Sequence, residues 1–182
     1  MISFKANYLG QTTIKRIGEN NTFLECKATL VELDPNSDND EKALGGLHED
    51  WGPADKYSRS IHFRFLDKSY QPNYYNELRF FALTRQTKNF ENLRREDILG
   101  IAQISKNYND DIKINYLQTN PEYMVHNHFR NFKGIGSALL KAIEKAIPKG
   151  NIRLTALPST IEFYEKLGYA VEHKLGAMIK KR

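Results

Sequence analysis

The chain is poor in cysteine, having only Cys26 among its 182 residues. One thiol cannot form an intrachain disulfide, and it cannot make a zinc site by itself. No apolar run approaches the ~20 residues needed to span a bilayer. The first residues also lack the basic, apolar and small-residue regions of a signal peptide. These absences argue against a disulfide scaffold and a membrane-spanning protein, and we expect a reduced, cytoplasmic location.

What is present indicates a globular protein, with 40% hydrophobic and 27% charged residues. The length suits a single domain, residues 1–182, with a sizeable core. The net charge of +5 is uneven, because residues 34–55 hold seven acidic side chains against Lys42. The strongly basic remainder suits an anionic partner or an ordinary solvated surface. The run at 57–65 interleaves basic and aromatic residues, as nucleic-acid-binding surfaces can. We favour the other interpretation, an element that packs its aromatic face inward.

The secondary structure is hardest to assign in the first third. Residues 11–17 and 22–33 favour strands, and a short helix is expected near Glu41. Residues 55–67 fit a helix or a strand equally well, because the run is too short for its periodicity to decide.

From residue 77 onward the patterns are clearer. Strands are predicted at 78–84, 98–105 and 112–119, and in the last of these Ile112, Ile114 and Tyr116 alternate against Lys113, Asn115 and Leu117. A helix at 135–147, a strand at 151–157, a short helix and two final strands around Leu175 follow. The short helix is predicted to begin with a capping box, Ser159 to Glu162. This order predicts an α/β (α+β) fold with helices on the faces of a mixed sheet.

Two glycines, Gly134 and Gly136, come directly before the apolar stripe of the predicted helix. A glycine-rich turn that opens a helix can bind phosphate, because free N–H groups and the helix dipole favour an anion there. Leu139 replaces the third glycine of a dinucleotide fingerprint, and no lysine follows as in a Walker A loop. Both nucleotide motifs are therefore excluded, and a phosphate turn or an ordinary turn remains.

A second motif lies downstream at 163–169, FYEKLGY. Together with KGIGSALL at 133–140, it resembles motifs A and B of the GCN5-related N-acetyltransferases, the GNAT superfamily, over roughly residues 76–182. The resemblance implies a single domain whose mixed, mostly antiparallel sheet has splayed middle strands, with helices on both faces. It implies that acetyl-coenzyme A lies in that gap, bound by residues 76–182, while the variable residues 1–75 shape the substrate site.

The resemblance also implies roles for individual residues. The pyrophosphate turn would be Lys133, Gly134, Ile135, Gly136, Ser137 and Ala138. The end of the splayed strand, Leu117, Gln118 and Thr119, would pair through its backbone with the pantetheine arm and the thioester carbonyl. Tyr164 would protonate the departing thiolate, since a phenol with a pKa of roughly 10 is protonated at neutral pH. No metal is implied.

The function implied is acetyl transfer from acetyl-coenzyme A to a primary amine of a small molecule or protein, by direct attack in a ternary complex. The resemblance is also compatible with a homodimer. A non-catalytic module that binds coenzyme A or a protein is the alternative. Asn131 stands where the family usually has Gln or Arg, and the loop after Pro121 is long, so Tyr123–His126 is a second candidate for the splayed strand. The general base stays open among Glu77, Glu122, His126, His128 and an ordered water.

Overall fold

Within the described residues, nine strands form one mixed sheet in the order β6-β1-β2-β3-β4-β5-β7-β9-β8. The structure is a computed structural model that describes residues 6–18, 20, 22–51, 56–67, 77–107, 109–123, 131–173 and 176–182. The strands are β1 (Asn7–Ile17), β2 (Phe23–Leu33), β3 (Glu77–Thr84), β4 (Ile98–Lys106), β5 (Ile112–Thr119), β6 (Phe132–Lys133), β7 (Ile152–Thr155), β8 (Ala170–His173) and β9 (Ala177–Lys180). Only β5 and β7 pair in parallel, and the other neighbours in this sheet are antiparallel.

Helices cover both faces of this sheet. The α-helices are α1 (Asp38–Gly45), α2 (Leu47–Asp50), α3 (Lys56–Leu66), α4 (Ile135–Ala146) and α5 (Ile161–Glu165). Helices α1 to α3 bury Leu44, Leu47, Ile61 and Phe65 in one core, against residues of one sheet face such as Val31 and Phe80. Helix α4 buries Leu139 and Ile143 in a second core on the opposite face, where α5 also packs. The fold therefore has three layers, as the sequence predicts.

Most predicted elements are confirmed to within a few residues. The ambiguous segment at 55–67 is helical, because Ile61 and Phe65 both face the first core at helical spacing. The strand predicted at 151–157 is shorter, Ile152–Thr155. Strands β8 and β9 form the predicted final pair, while Leu175 lies outside the described residues.

The capping box predicted at Ser159 is wrong. Residues Pro158–Thr160 form a short 3₁₀ turn, and Thr160 precedes α5 without a capping hydrogen bond from its side chain. The Thr160 hydroxyl donates instead to the Leu157 carbonyl at 2.9 Å, and Glu162 pairs with Lys166 at 2.6 Å. Pro158 favours a turn at this point because its ring fixes φ, so the α-helix begins one residue later than the motif indicates.

The face predicted for Tyr116 is also wrong, because β5 contains a β-bulge. Ile114 lies opposite Ile104 and Tyr116 lies opposite Gln103, which leaves Asn115 as an extra residue. Ile112 and Ile114 therefore pack into the α4 core, whereas Tyr116 packs against the α3 core. The Asn115 amide donates across the strand pair to the Ser105 hydroxyl.

Asp40 in α1 is a fully buried carboxylate, with 0% of its surface exposed. Its Oδ2 accepts a hydrogen bond from the Asp34 amide at 2.9 Å, and its own amide donates to the Ser37 hydroxyl at 3.3 Å. Burial, aided by the charge of nearby Asp34, outweighs the opposing effect of the backbone hydrogen bonds and raises the pKa of Asp40 to about 6. The folded protein thus binds this proton more tightly than the unfolded chain does.

We predict that Asp40 makes the fold less stable as pH rises from about 4 to 6, because its ionised form is disfavoured by burial. A shift of this size corresponds to about 3 kcal/mol of unfolding free energy. The substitution Asp40→Asn should remove this pH dependence from urea-unfolding free energies measured across that range, whereas Asp38→Asn, at an exposed position of the same turn, should keep it. An unchanged pH profile in Asp40→Asn would contradict the prediction.

Candidate active site

The sheet opens between β5 and β7. These parallel strands pair only through Ile112–Ile114 and Ile152–Leu154. Strand β5 continues to Thr119 while paired with β4 on its other side. Among the described residues, no strand pairs with the edge from Asn115 to Thr119 that faces β7. The backbone groups along this edge are therefore available to a ligand.

A cleft of about 730 Å³ occupies this opening, a size typical of small-molecule sites. The splayed strand is β5. Of the alternative at Tyr123–His126, Tyr123 lies in a 3₁₀ turn and not in a strand, and the other residues fall outside the described part of the chain. Every predicted site residue except Ala138 lines the cleft: Leu117, Gln118, Thr119, Lys133, Gly134, Ile135, Gly136, Ser137 and Tyr164.

The glycine turn opens α4 at one end of the cleft. Gly134 has φ 78°, a left-handed conformation that favours glycine, and no side chain caps the helix at this position. The first intrahelical bond runs from the Ala138 amide to the Gly134 carbonyl at 2.9 Å. The amides of Ile135, Gly136 and Ser137 precede that bond, so helix geometry leaves them without an intrahelical acceptor. Ala138 instead is buried in the α4 core.

The second glycine sits where three elements meet. A Cβ added to Gly136 would lie 3.5 Å from both the Phe163 ring and the Thr119 methyl group. The turn, the end of β5 and helix α5 are thus in close contact here. Asn131, at the position where the family usually has Gln or Arg, accepts a hydrogen bond from the Ile17 amide through its carbonyl at 2.8 Å. This bond ties the turn to β1.

Tyr164 lies on α5 and is held by two aromatic neighbours. Its ring makes edge contacts with Phe163 and Tyr169, with centroid distances of 4.9 and 5.9 Å. Burial raises the pKa of Tyr164 above its usual value, and the nearby Tyr57 phenol adds to the rise. Tyr164 is therefore a protonated phenol at neutral pH, able to donate a proton inside the cleft.

Gln118 has a contact that the sequence does not reveal. Its side chain is buried, and Oε1 accepts hydrogen bonds from the amides of Tyr57 and Ser58 at 3.0 and 2.8 Å. The side chain, which projects from β5 toward α3, therefore caps the N-terminus of α3 and holds the backbone of Tyr57 beside the cleft. These residues are about sixty positions apart, and no local pattern links them.

The two acidic candidate bases suggested by the sequence, Glu77 and Glu122, do not line this cleft. Glu77 is at the start of β3, 3.6 Å from Arg79, and neither it nor Glu122 is among the residues that line the cleft. None of the described lining residues is acidic. His126 and His128 fall outside the described residues.

The described part of the chain contains no group of three His, Cys, Asp or Glu side chains placed to hold a metal ion. None of its helices has the length and apolar character that crossing a membrane requires.

Comparison with known proteins agrees with the geometry. A family profile described as the acetyltransferase (GNAT) domain matches residues 80–171, just over half of the chain. No curated protein sequence matches the chain. Among solved structures, a candidate N-acetyltransferase from Lactobacillus plantarum is similar with a TM-score of 0.54 and 16% identity, covering 84% of this chain and 97% of that one.

Two further structures are similar at the level of the fold. A candidate acetyltransferase of the GNAT family from Desulfovibrio desulfuricans has a TM-score of 0.52 and 13% identity, over 84% of this chain and 94% of its own. The structure of AtaTR bound with acetyl-coenzyme A has a TM-score of 0.53 and 15% identity, over 84% of this chain and 92% of its own. The expected α/β fold with splayed strands is confirmed. By its sequence profile and its fold, the chain belongs to the GNAT acetyltransferase family.

Proposed function

We propose that this protein transfers an acetyl group from acetyl-coenzyme A to a primary amine by direct attack in a ternary complex. The observation that carries the proposal is the composition of one cleft. The free edge of β5, the glycine turn of α4 and the phenol of Tyr164 all line it. The strand edge can pair with the amides of the pantetheine arm, the turn can bind the pyrophosphate anion, and the phenol can donate a proton to the thiolate. These are the three interactions that an acyl-coenzyme A substrate requires.

The glycine turn is suited to the pyrophosphate. The amides of Ile135, Gly136 and Ser137 combine with the positive end of the α4 dipole, an arrangement that favours an anion. Lys133 adds a positive charge beside the turn, and its Nζ lies 4.3 Å from the centre of the Phe23 ring. This cation–π contact holds the lysine near the turn.

The edge of β5 is suited to the pantetheine arm. The edge of Leu117–Thr119 that faces away from β4 pairs with no described strand, so an extended amide-containing chain can bind there as an additional strand would. Tyr164 lies at the same cleft and is protonated at neutral pH, so we assign it the role of general acid toward the departing thiolate. Cys26 does not line the cleft, and the proposal needs no covalent enzyme intermediate.

The acceptor side is assigned to the N-terminal part of the chain, residues 1–75. From this part, Tyr57 lines the cleft, and its ring packs against Tyr116 with a centroid distance of 5.7 Å. The acidic helices α1 and α2 contribute no lining residue to the cleft. The acceptor amine therefore meets aromatic groups, and the acidic segment is not proposed to bind it.

A non-catalytic coenzyme A-binding module is the second candidate, favoured by the lack of an acidic side chain among the described cleft residues. Calorimetry with acetyl-coenzyme A, followed by assay of thiol release with a panel of primary amines, distinguishes the two. Binding with turnover supports the enzyme, and binding without turnover supports the module. No binding contradicts both.

We predict that Tyr164→Phe lowers kcat by ~10²–10⁴-fold, the usual contribution of a general acid, with little change in affinity for acetyl-coenzyme A. The measurement is steady-state thiol release together with calorimetry. Tyr8→Phe, at a position that is 55% exposed on β1 and outside the cleft, is the matched control and should turn over normally. Undiminished turnover by Tyr164→Phe would remove this residue from the mechanism.

A second prediction concerns the conformation of the glycine turn. An added Cβ at Gly134 meets no atom within 4 Å, so Gly134→Ala acts only through the strain of its left-handed φ. That strain costs ~1–2 kcal/mol. We expect the free turn of the variant to relieve it by leaving the left-handed conformation, which binding must restore, so acetyl-coenzyme A should bind about tenfold more weakly in calorimetry. Gly134→Asn should bind more tightly than Gly134→Ala, because Asn tolerates this conformation better. Equal affinities in the three proteins would contradict a requirement for this turn conformation in binding.

A further inference from the structure

Two phenols reach the cleft from opposite faces of the sheet. Tyr57 lies on α3, which packs into the first core, and Tyr164 lies on α5, which packs beside α4 on the other face. A continuous sheet would separate them. Here β5 and β7 diverge after Ile114, and the gap lets both phenols line one cavity.

Tyr57 is held in this position from two sides. The buried Gln118 side chain fixes the backbone at the start of α3 through the Tyr57 and Ser58 amides. The Tyr57 ring packs on Tyr116 at an interplanar angle of 41°. Both contacts come from the splayed half of β5, the same segment that we assign to the thioester. Tyr57 is therefore positioned relative to the proposed reacting group, not only relative to its own helix.

We propose that Tyr57 is a second catalytic residue, which takes a proton from the attacking amine and passes its own proton toward Tyr164. This inference rests on the function proposed above. It accounts for a cleft in which the described lining residues include Tyr57 and Tyr164 from opposite faces of the sheet and no carboxylate.

The relay balances without an external acid or base. The neutral amine attacks the thioester carbon, so a C–N bond forms and the carbonyl electron pair moves to oxygen. On collapse that pair returns, the C–S bond breaks and its electrons leave on sulfur. The surplus proton on nitrogen passes to the Tyr57 oxygen, the Tyr57 proton passes through a water molecule in the cleft to the Tyr164 oxygen, and the Tyr164 proton passes to sulfur. The products are an amide and a free thiol, with both phenols restored.

The electrostatics of the cleft agree with this arrangement. Burial raises the pKa of Tyr164, and the Tyr57 phenol that lines the same cleft raises it further. A phenol with a pKa of roughly 10 or higher is a poor base toward a free ammonium ion at neutral pH. A relay avoids this difficulty, because each phenol gains one proton as it loses another.

The test is steady-state kinetics on the full chain, with primary amines of different pKa as acceptors and with water as the acceptor in acetyl-coenzyme A hydrolysis. Tyr57→Phe should lower kcat by ~10²-fold or more, as for a lost proton-transfer group. Its affinity for acetyl-coenzyme A in calorimetry should be unchanged. Tyr8→Phe is again the control. Turnover by Tyr57→Phe equal to that of the wild type would overturn the relay while leaving acetyl transfer in place.

Two further readouts separate a relay from a merely structural role. Because both phenols act in one proton path, Tyr57→Phe combined with Tyr164→Phe should be no slower than the slower single variant. In the wild type, kcat/KM for the amine should rise with pH to an inflection that follows the pKa of each amine. Additive losses, or an inflection below pH 7 that is the same for every amine, would overturn the relay in favour of an acidic or imidazole base.

The outcomes also distinguish this inference from the function on which it rests. If the wild type does not bind acetyl-coenzyme A, or binds it and releases no thiol with any amine or with water, the acetyltransferase function fails and the relay with it. If the wild type turns over, the proposed function stands, and the variants and pH profiles decide the relay alone.

Discussion

The three-residue pairing between β5 and β7 is the constraint on which the site depends. It ends at Ile114, directly before the bulge at Asn115. The bulge reverses the faces of the residues that follow, so Gln118 points toward α3 and caps it, while Thr119 comes close to Gly136 of the glycine turn. The extra residue in β5 thus lies where the gap begins, and it determines which side chains of β5 face each side of the sheet.

The position of the glycine turn depends on the opposite edge of the sheet. Strand β6 pairs with β1, with Phe132 opposite Arg16 and Lys133 opposite Lys15. The bond from the Ile17 amide to the Asn131 carbonyl extends this attachment. The N-terminal hairpin therefore holds the turn, although it lies outside the segment that matches the family profile, residues 80–171. The N-terminal hairpin thus supports the cleft without lining it.

Local patterns in the sequence were sufficient for much of this structure. Apolar periodicity predicts α4 and the central strands, and the two motifs predict the turn at Gly134 and the place of Tyr164. The bulge at Asn115 could not be predicted, because it is defined by the register with β4 and leaves no mark in β5 itself. The cap on α3 and the position of Tyr57 depend on Gln118, about sixty residues away, so they follow from the assembled sheet and not from any local pattern.

The central claim is that acetyl-coenzyme A lies along the open edge of β5 with its pyrophosphate on the first turn of α4. Hydrogen–deuterium exchange with and without acetyl-coenzyme A tests it most directly, because the first amides of α4 lack intrahelical acceptors and the β5 edge that faces β7 pairs with no strand in the described part of the chain. We expect slower exchange in Leu117–Thr119 and Ile135–Ser137 and little change in the central pairs of β3 and β4. Unchanged exchange in both segments at saturating acetyl-coenzyme A, or protection confined to other parts of the chain, would contradict the claim.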